Sequence, residues 1–392
     1  MKKDNLLGLL LFLFSFVVPK QKNLIIMGGG DAKAFQGNPK YILLYLKNNK
    51  DFNCYWSAKS QDVIRALAQI GVPYINPYSF NGFFLLLRAK YHFIEKSSYD
   101  TYYSHRISGR FNFIQTWHAI PTKLVGVDAL TLLSDNNGYT LENKFFNGML
   151  KKMNFFSRQR YKYIISTSDY VSNIFEKAFE NNNIIKTGYP RNDIFYDKSL
   201  STRDYKKIFD LEKYNRIFLY APTFRDGALT VSPFSDKIYE LNQYLKQTNN
   251  VLIIKKHPWE KHLQIASDLT NVIDVSKKSI DIQEILIHVD LLITDYSSTF
   301  FDFMATKKPV IFYTYDYQYY LSKCRGMYYD FKAELQGPFA DDEESLIHYI
   351  KSYEKWSVTP DYIKQYDLVL DKFNSFQDAH SSKRIIDFLY PE

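Results

Sequence analysis

Val289-Asp290-Leu291-Leu292-Ile293-Thr294-Asp295-Tyr296-Ser297-Ser298-Thr299-Phe300-Phe301-Asp302-Phe303 reads as a short buried strand, a break at Asp295, and an apolar-faced helix with two serines at its mouth. A helix N-terminus carries unpaired N–H groups and about half a positive charge, so serines placed there suit a phosphate. Two earlier strands end in the same manner. Residues 251–255 run into Lys256-His257-Pro258, and residues 112–115 run into Thr116-Trp117-His118. Hydroxyl, imidazole and ammonium groups delivered at three strand ends imply a site for a diphosphate-linked substrate.

Working outward, strands are predicted at 23–27, 53–57, 91–94, 111–115, 162–165 and 184–186, with a weaker pattern at 100–103. Helices at 38–47, 60–70 and 170–179 alternate with them, the last capped by Ser166-Thr167-Ser168-Asp169. A polar stretch at 197–207 reads as a linker. Strands at 216–220, 251–255, 271–274, 291–294 and 309–313 then alternate with helices at 235–248, 282–287 and 298–306. Runs rich in Val, Ile and Leu between helices indicate parallel sheets covered on both faces. The expected class is α/β, with two Rossmann-like domains facing across a cleft. The expected boundaries are an apolar N-terminal helix at 1–22, domains at 23–196 and 205–375, and a C-terminal helix at 376–392. Ligands of such sheets bind beyond the carboxyl ends of the strands, where the residues above fall.

Composition narrows the partners. Lys and Arg outnumber Asp and Glu by 50 to 42, a formal net charge of +8, which favours anionic partners. No zinc-finger spacing or RNA-binding strand signature is present, so nucleic acid is not expected. Aromatic residues reach 17%. That excess reads either as genomic base composition or as a surface that stacks on sugars or sits at a lipid interface. Only Cys54 and Cys324 occur, which argues against a disulfide framework or structural zinc. Residues 6–18 form an apolar run behind Lys2 and Lys3, without a small-residue cleavage site. The run is too short for a span of about 20 residues and is expected to be a buried or interface-lying helix.

Several side chains are candidates for chemistry. His118 can accept a proton near neutral pH, or simply hydrogen-bond to backbone in a loop. His257 can donate to a phosphate oxygen while Lys255 or Lys256 adds charge, and Pro258 stiffens the loop. Ser297 and Ser298 either hold phosphate or cap the helix. Asp302, one turn along from Ser298, can bind a hydroxyl or complement the helix dipole. Arg225, in Pro222-Thr223-Phe224-Arg225-Asp226, and Arg191, in Gly188-Tyr189-Pro190-Arg191-Asn192-Asp193, are candidate bidentate phosphate clamps. Gly28-Gly29-Gly30 permits a close approach or a turn, but it is not a dinucleotide fingerprint. No Walker loop, nucleophile elbow or HExxH pattern is present. Asp341-Asp342 with Glu343-Glu344 reads as a helix start rather than a metal site.

Five blocks together resemble the CDP-glycerol glycerophosphotransferase family: Trp117-His118-x-x-Pro121, Gly188 to Asp193, Ala221 to Arg225, Lys256-His257-Pro258, and Thr294 to Ser298. Lys308-Pro309-Val310-Ile311-Phe312-Tyr313 and Arg325-Gly326-Met327-Tyr328-Tyr329-Asp330-Phe331 extend the match, which covers roughly residues 23–350. The resemblance implies the GT-B fold and transfer of glycerol phosphate from CDP-glycerol to a hydroxyl of a lipid-linked saccharide or a growing teichoic acid- or capsule-type polymer, releasing CMP. It implies a donor site lined by Trp117, His118, Ala119, Ile120, Pro121, Arg191, Pro222, Thr223, Lys255, Lys256, His257, Ser297, Ser298 and Asp302. His118 would be the general base, and His257 would steady the diphosphate. The family loop commonly reads W-H-G-T-P; here Ala119 and Ile120 stand in place of Gly and Thr. No DxD-type metal motif is evident, so no tightly bound metal is expected, and a loosely bound Mg²⁺ stays open. The expected location is the cytoplasmic face of the cell membrane, held peripherally at an anionic surface. A CDP-ribitol enzyme, another GT-B nucleotide-sugar transferase, and an inactive membrane-associated scaffold stay as alternatives.

Overall fold

The structure is a computed structural model describing residues 3–102, 109–129, 161–223, 225, 234, 237–256, 268–278, 280–323, 326–335 and 337–391. The chain forms two compact units. One comprises Met1–His118, Val125–Leu200 and Asp378–Glu392, and the other Ala119–Leu124 and Ser201–Gln377.

In the first unit β1 (Gln21–Met27), β2 (Asn53–Ser57), β3 (Tyr74–Ile75), β4 (Ala89–Ile94), β5 (Phe113–Gln115), β6 (Tyr161–Ser166) and β7 (Ile184–Lys186) form one sheet in the order β3-β2-β1-β4-β5-β6-β7. Every pairing is parallel. Parallel neighbours need crossovers, and the helices Gly37–Leu46, Gln61–Gln69, Phe80–Arg88 and Asp169–Phe179 lie in the intervals between strands. Order reverses between β1 and β4, which creates a switch point at their carboxyl ends. Gly28 follows β1 there, and a Cβ on it would lie 1.9 Å from the Asp100 carbonyl oxygen. The glycine run therefore serves a close approach by the chain's own backbone. The weak strand expected at 100–103 is instead the end of a 3-10 turn, Ser98–Asp100, for its described part; Tyr103 lies outside the described residues.

The Lys3–Phe14 helix packs through Leu11 into the cluster of Leu24, Ile26, Leu86, Ile94 and Phe113. At the other end of the chain, the Ser381–Leu389 helix returns to the first unit. The Asp193 carboxylate accepts the Ser381 and Ser382 N–H groups (3.1 and 3.0 Å) and the Ser382 hydroxyl (3.0 Å).

His92, inside β4, is fully buried. Its Nε2–H donates to the Leu86 carbonyl at 3.1 Å, and the ring packs on Phe111 and Phe113. Burial, helped by the nearby Lys20 charge, pushes its pKa down to about 3. A depressed basic group is neutral in the folded state while the unfolded chain takes up its proton below about 6.5. Stability is therefore lost as pH falls from about 6.5 toward 3. His92→Phe keeps the ring and removes the titration. Its stability curve should be flatter than the parent's by about 3 kcal/mol between pH 7 and pH 4, read from denaturant melts. Parallel curves would contradict this.

In the second unit β8 (Arg216–Ala221), β9 (Asn250–Ile254), β10 (Val272–Asp274), β11 (Leu291–Thr294), β12 (Val310–Tyr313) and β13 (Phe339–Ala340) form a second all-parallel sheet, ordered β10-β9-β8-β11-β12-β13. Its core includes Phe218, Tyr220, Leu252, Ile254, Leu291, Ile293, Ile311 and Tyr313, facing Leu241, Leu245, Leu346 and Ile350 of flanking helices. Its switch point lies between β8 and β11. The stretch expected to be a linker at 197–207 holds short helices, Lys198–Leu200 and Tyr205–Ile208, and Thr202 bonds Glu284 through both N–H and hydroxyl at 2.6 Å. Asp342 caps the Glu343–Lys351 helix in a capping box with Ser345, as a helix start requires.

Candidate functional site

In the first unit the chain leaves β5 at Gln115 and turns sharply. Thr116 ties back to the Ile94 carbonyl through its N–H (2.8 Å) and hydroxyl (2.9 Å). Trp117 adopts φ 52, a left-handed conformation unusual for a bulky residue. Its N–H donates to Gln115 Oε1 at 2.9 Å, and its indole packs edge-on against Phe179, centroids 4.8 Å apart. His118 follows, exposed, its ring 4.5 Å from the indole.

Asn38 fixes this turn and was not singled out from the sequence. It is fully buried beside Gly37, whose φ is +74 and whose added Cβ would meet Glu95 Oε1 at 1.9 Å. Asn38 Nδ2 donates to the Thr116 carbonyl (2.8 Å) and the Trp117 carbonyl (3.0 Å). Its Oδ1 accepts the Arg191 N–H at 3.1 Å. One amide thus joins the segment after β5 to the segment after β7. The Arg191 side chain is buried, with its guanidinium 4.8 Å over the Tyr189 ring.

Residues 119–124 belong to the second unit. Ile120 and Pro121 are buried and Ala119 is partly so. Thr122 accepts the Tyr328 N–H (3.1 Å) and the Tyr329 hydroxyl (3.1 Å), while Lys123 bridges Met327. Within the second unit, residues 122–124 are thus tied to the Gly326 to Tyr329 segment.

The other candidates of the second unit cluster at three neighbouring strand ends, β9, β8 and β11. After β9, Lys255 is half-buried and its pKa is lowered by burial, against the pull of Asp274. Lys256 lies 3.4 Å from Asp274 and donates its N–H to Ser276 Oγ. After β8, the Thr223 N–H donates to Asp295 Oδ1 at 2.8 Å, a bond across the switch point. Thr223 Oγ1 is buried and makes no hydrogen bond with the described residues. After β11, Ser297 Oγ accepts the Thr299 N–H (3.3 Å) and donates to Thr299 Oγ1 (3.0 Å), and Ser298 makes no side-chain cap. The helix that follows is Thr299–Met304, shorter than the 298–306 expected.

Arg225 is engaged differently from the expectation, and Asp302 is engaged in part. Arg225 is buried, and its fork is filled: Nε and Nη2 donate to the two oxygens of Asp316 (2.7 and 3.0 Å), and Nη1 lies 2.8 Å from Asp295 Oδ2. Burial opposes its charge, but Asp295 and Asp316 outweigh that and raise its pKa. The bidentate face a phosphate would need is occupied by a carboxylate. Asp302 is buried and accepts from Gln283 Nε2 at 3.0 Å, so at least one of its oxygens serves packing between helices. His257, with Pro258, lies outside the described residues. So do Phe224, Asp226 and Arg325. No group of three or more His, Cys, Asp or Glu among the described residues is placed to hold a metal ion.

The family model described as CDP-glycerol:poly(glycerophosphate) glycerophosphotransferase matches residues 10–390. The chain belongs to this family. Among curated relatives of the glycerophosphotransferase family, a teichoic acid glycerol-phosphate transferase of Staphylococcus aureus (strain NCTC 8325 / PS 47) is 29% identical over 94% of this chain and 93% of its own. A teichoic acid poly(glycerol phosphate) polymerase of Bacillus subtilis (strain 168) is also 29% identical, over 97% of this chain but 50% of that longer protein. The solved structure of the wall teichoic acid polymerase TagF superposes with a TM-score of 0.73 at 24% identity, covering 99% of this chain and 93% of the other, a likeness of fold.

Proposed function

We propose that this glycerophosphotransferase-family enzyme transfers glycerol phosphate from CDP-glycerol to a hydroxyl of a lipid-linked saccharide or growing teichoic acid-type polymer. The observation that carries the reading is the placement of Lys255, Lys256, Thr223, Ser297 and Ser298 at three adjacent strand ends, β9, β8 and β11, around a switch point. Two ammonium groups, a threonine hydroxyl without a partner among the described residues and two serines suit the oxygens of a diphosphate. The family named for this reaction covers nearly the whole chain.

In the proposed step the acceptor oxygen attacks the phosphorus that bears glycerol. The bond from that phosphorus to the oxygen of the cytidylyl phosphate breaks, and CMP leaves. His118 takes the acceptor proton as the new phosphodiester forms. Charge growing on the CMP phosphate is met by Lys255, Lys256 and the serines, with His257 assigned the same task by its place in the family motif. Such transfers depend on positioning and charge stabilisation. Incubating the protein with a defined lipid-linked acceptor and CDP-glycerol, CDP-ribitol or UDP-sugars, and following CMP release and product mass, tests this. CMP release from CDP-ribitol alone would replace the glycerol reading.

A lipid-linked acceptor calls for a membrane surface. No described helix is long and apolar enough to cross one. The Lys3–Phe14 helix leaves Leu6, Leu9, Leu13 and Phe14 exposed, and Phe16 and Val17 continue the strip. Phe80 (81% exposed) and Phe84 of the adjoining Phe80–Arg88 helix extend it, and Lys22, Arg88 and Arg110 supply exposed basic residues in the same unit. That pairing of apolar and basic groups suits an anionic bilayer held at its interface. Phe80→Glu with Phe84→Glu should lower binding to phosphatidylglycerol vesicles by about tenfold and leave the melting temperature unchanged. Undiminished flotation would reject this surface.

A further inference from the structure

We propose that Asn38 is the positioning residue for His118, holding the base in place by clamping the two carbonyls that precede it. The inference rests on the reading of His118 as the proton acceptor. Three observations support it. The amide is fully buried, and all three of its hydrogen bonds go to backbone groups far along the chain: the Thr116 and Trp117 carbonyls and the Arg191 N–H. The clamped residue Trp117 sits at φ 52, where a tryptophan does not stay without external restraint. Trp117 also supplies the ring that lies 4.5 Å from the imidazole, so its rotation carries His118 with it.

The clamp works through its two N–H groups. The bond to the Thr116 carbonyl is buried and that to the Trp117 carbonyl partly so, and a residue without donors leaves both carbonyls without this partner. Relaxation of Trp117 toward negative φ would then satisfy them elsewhere and swing the next side chain. A displacement of about 1 Å at a catalytic group costs on the order of 100-fold in rate. Gly37 belongs to the same device. Its positive φ and its closeness to Glu95 let the helix begin where Asn38 can reach the turn.

Asn38→Asp is nearly isosteric and removes both donors. The expected result is a protein with unaltered CDP-glycerol affinity by calorimetry and a kcat for CMP release lowered about 100-fold. In a His118→Ala background the same substitution should cost less than threefold, because the group it positions is gone. Asn38→Ser, which keeps one donor, should fall between parent and Asn38→Asp, and it carries the test should Asn38→Asp not fold. Turnover within threefold of the parent, or a full 100-fold loss added on top of His118→Ala, would overturn the inference. An unchanged rate in His118→Ala alone would instead remove the base assignment, and the two failures are told apart by that variant.

Discussion

Replacing His118 with alanine is expected to lower kcat for CMP release from CDP-glycerol by between about 10² and 10⁴, the usual contribution of a positioned proton acceptor. Donor affinity should change little, because the diphosphate contacts assigned above come from Lys255, Lys256, Thr223, Ser297 and Ser298. The acceptor hydroxyl is a poor nucleophile while protonated, so the loss falls on the chemical step. The pH–rate profile gives a second readout. An imidazole base makes kcat rise as pH increases through the range in which the ring loses its proton, and the alanine variant should lack that limb. Equal turnover and equal pH profiles in parent and variant would exclude the base assignment. Ala119 and Ile120, where the family loop commonly carries Gly and Thr, sit directly after the imidazole. Restoring Gly and Thr there provides a comparison of loop chemistry at constant fold.

Arg225 should behave in the opposite way. Its substitution by alanine leaves Asp295 and Asp316, both nearly inaccessible, facing an empty space without their cation. Breaking a buried pair by removing one partner costs about 3–5 kcal/mol, and Tyr296 and Tyr320, which stack at 3.7 Å beside the guanidinium, lose a cation–π contact as well. Urea unfolding of the second unit, followed by tyrosine near-UV signal, should shift by that amount. Arg225→Lys should rescue little, since an ammonium cannot fill both oxygens of Asp316 and reach Asp295 together. A phosphate-clamping arginine predicts another pattern: a raised donor KM with normal unfolding. That pattern would show that the carboxylate cage opens for substrate.

The Arg225 case shows where local reading stops. Within Pro222 to Asp226 an arginine after a strand looks free to meet an anion. Its carboxylate partner is Asp316, 91 residues on, reached only because β8, β11 and β12 lie side by side. Asn38 is the converse. In sequence it is an ordinary first residue of a helix, and the bonds that make it interesting span 78, 79 and 153 residues. The two-residue edge strands β3 and β13 and the Phe80–Arg88 helix were not foreseen. Two residues carry no alternation to detect, and the short apolar run Phe83 to Leu87 resembles a buried strand.

By itself the sequence determined the class of architecture and the level at which chemistry sits. Runs such as Leu291 to Thr294 and Val310 to Tyr313 bury both faces, so they are strands of covered parallel sheets, and the polar residues just past them lie at carboxyl ends whatever the order of the sheet. The tertiary structure alone decided which ends are neighbours. Strand order put Lys255, Thr223 and Ser297 at the ends of adjacent strands and gave Arg225 to two carboxylates, and the path of the chain brought the Ser381–Leu389 helix back to Asp193. Hydrophobic periodicity is a property of a few consecutive residues, whereas the partner of a buried charge or amide is set by the path of the whole chain.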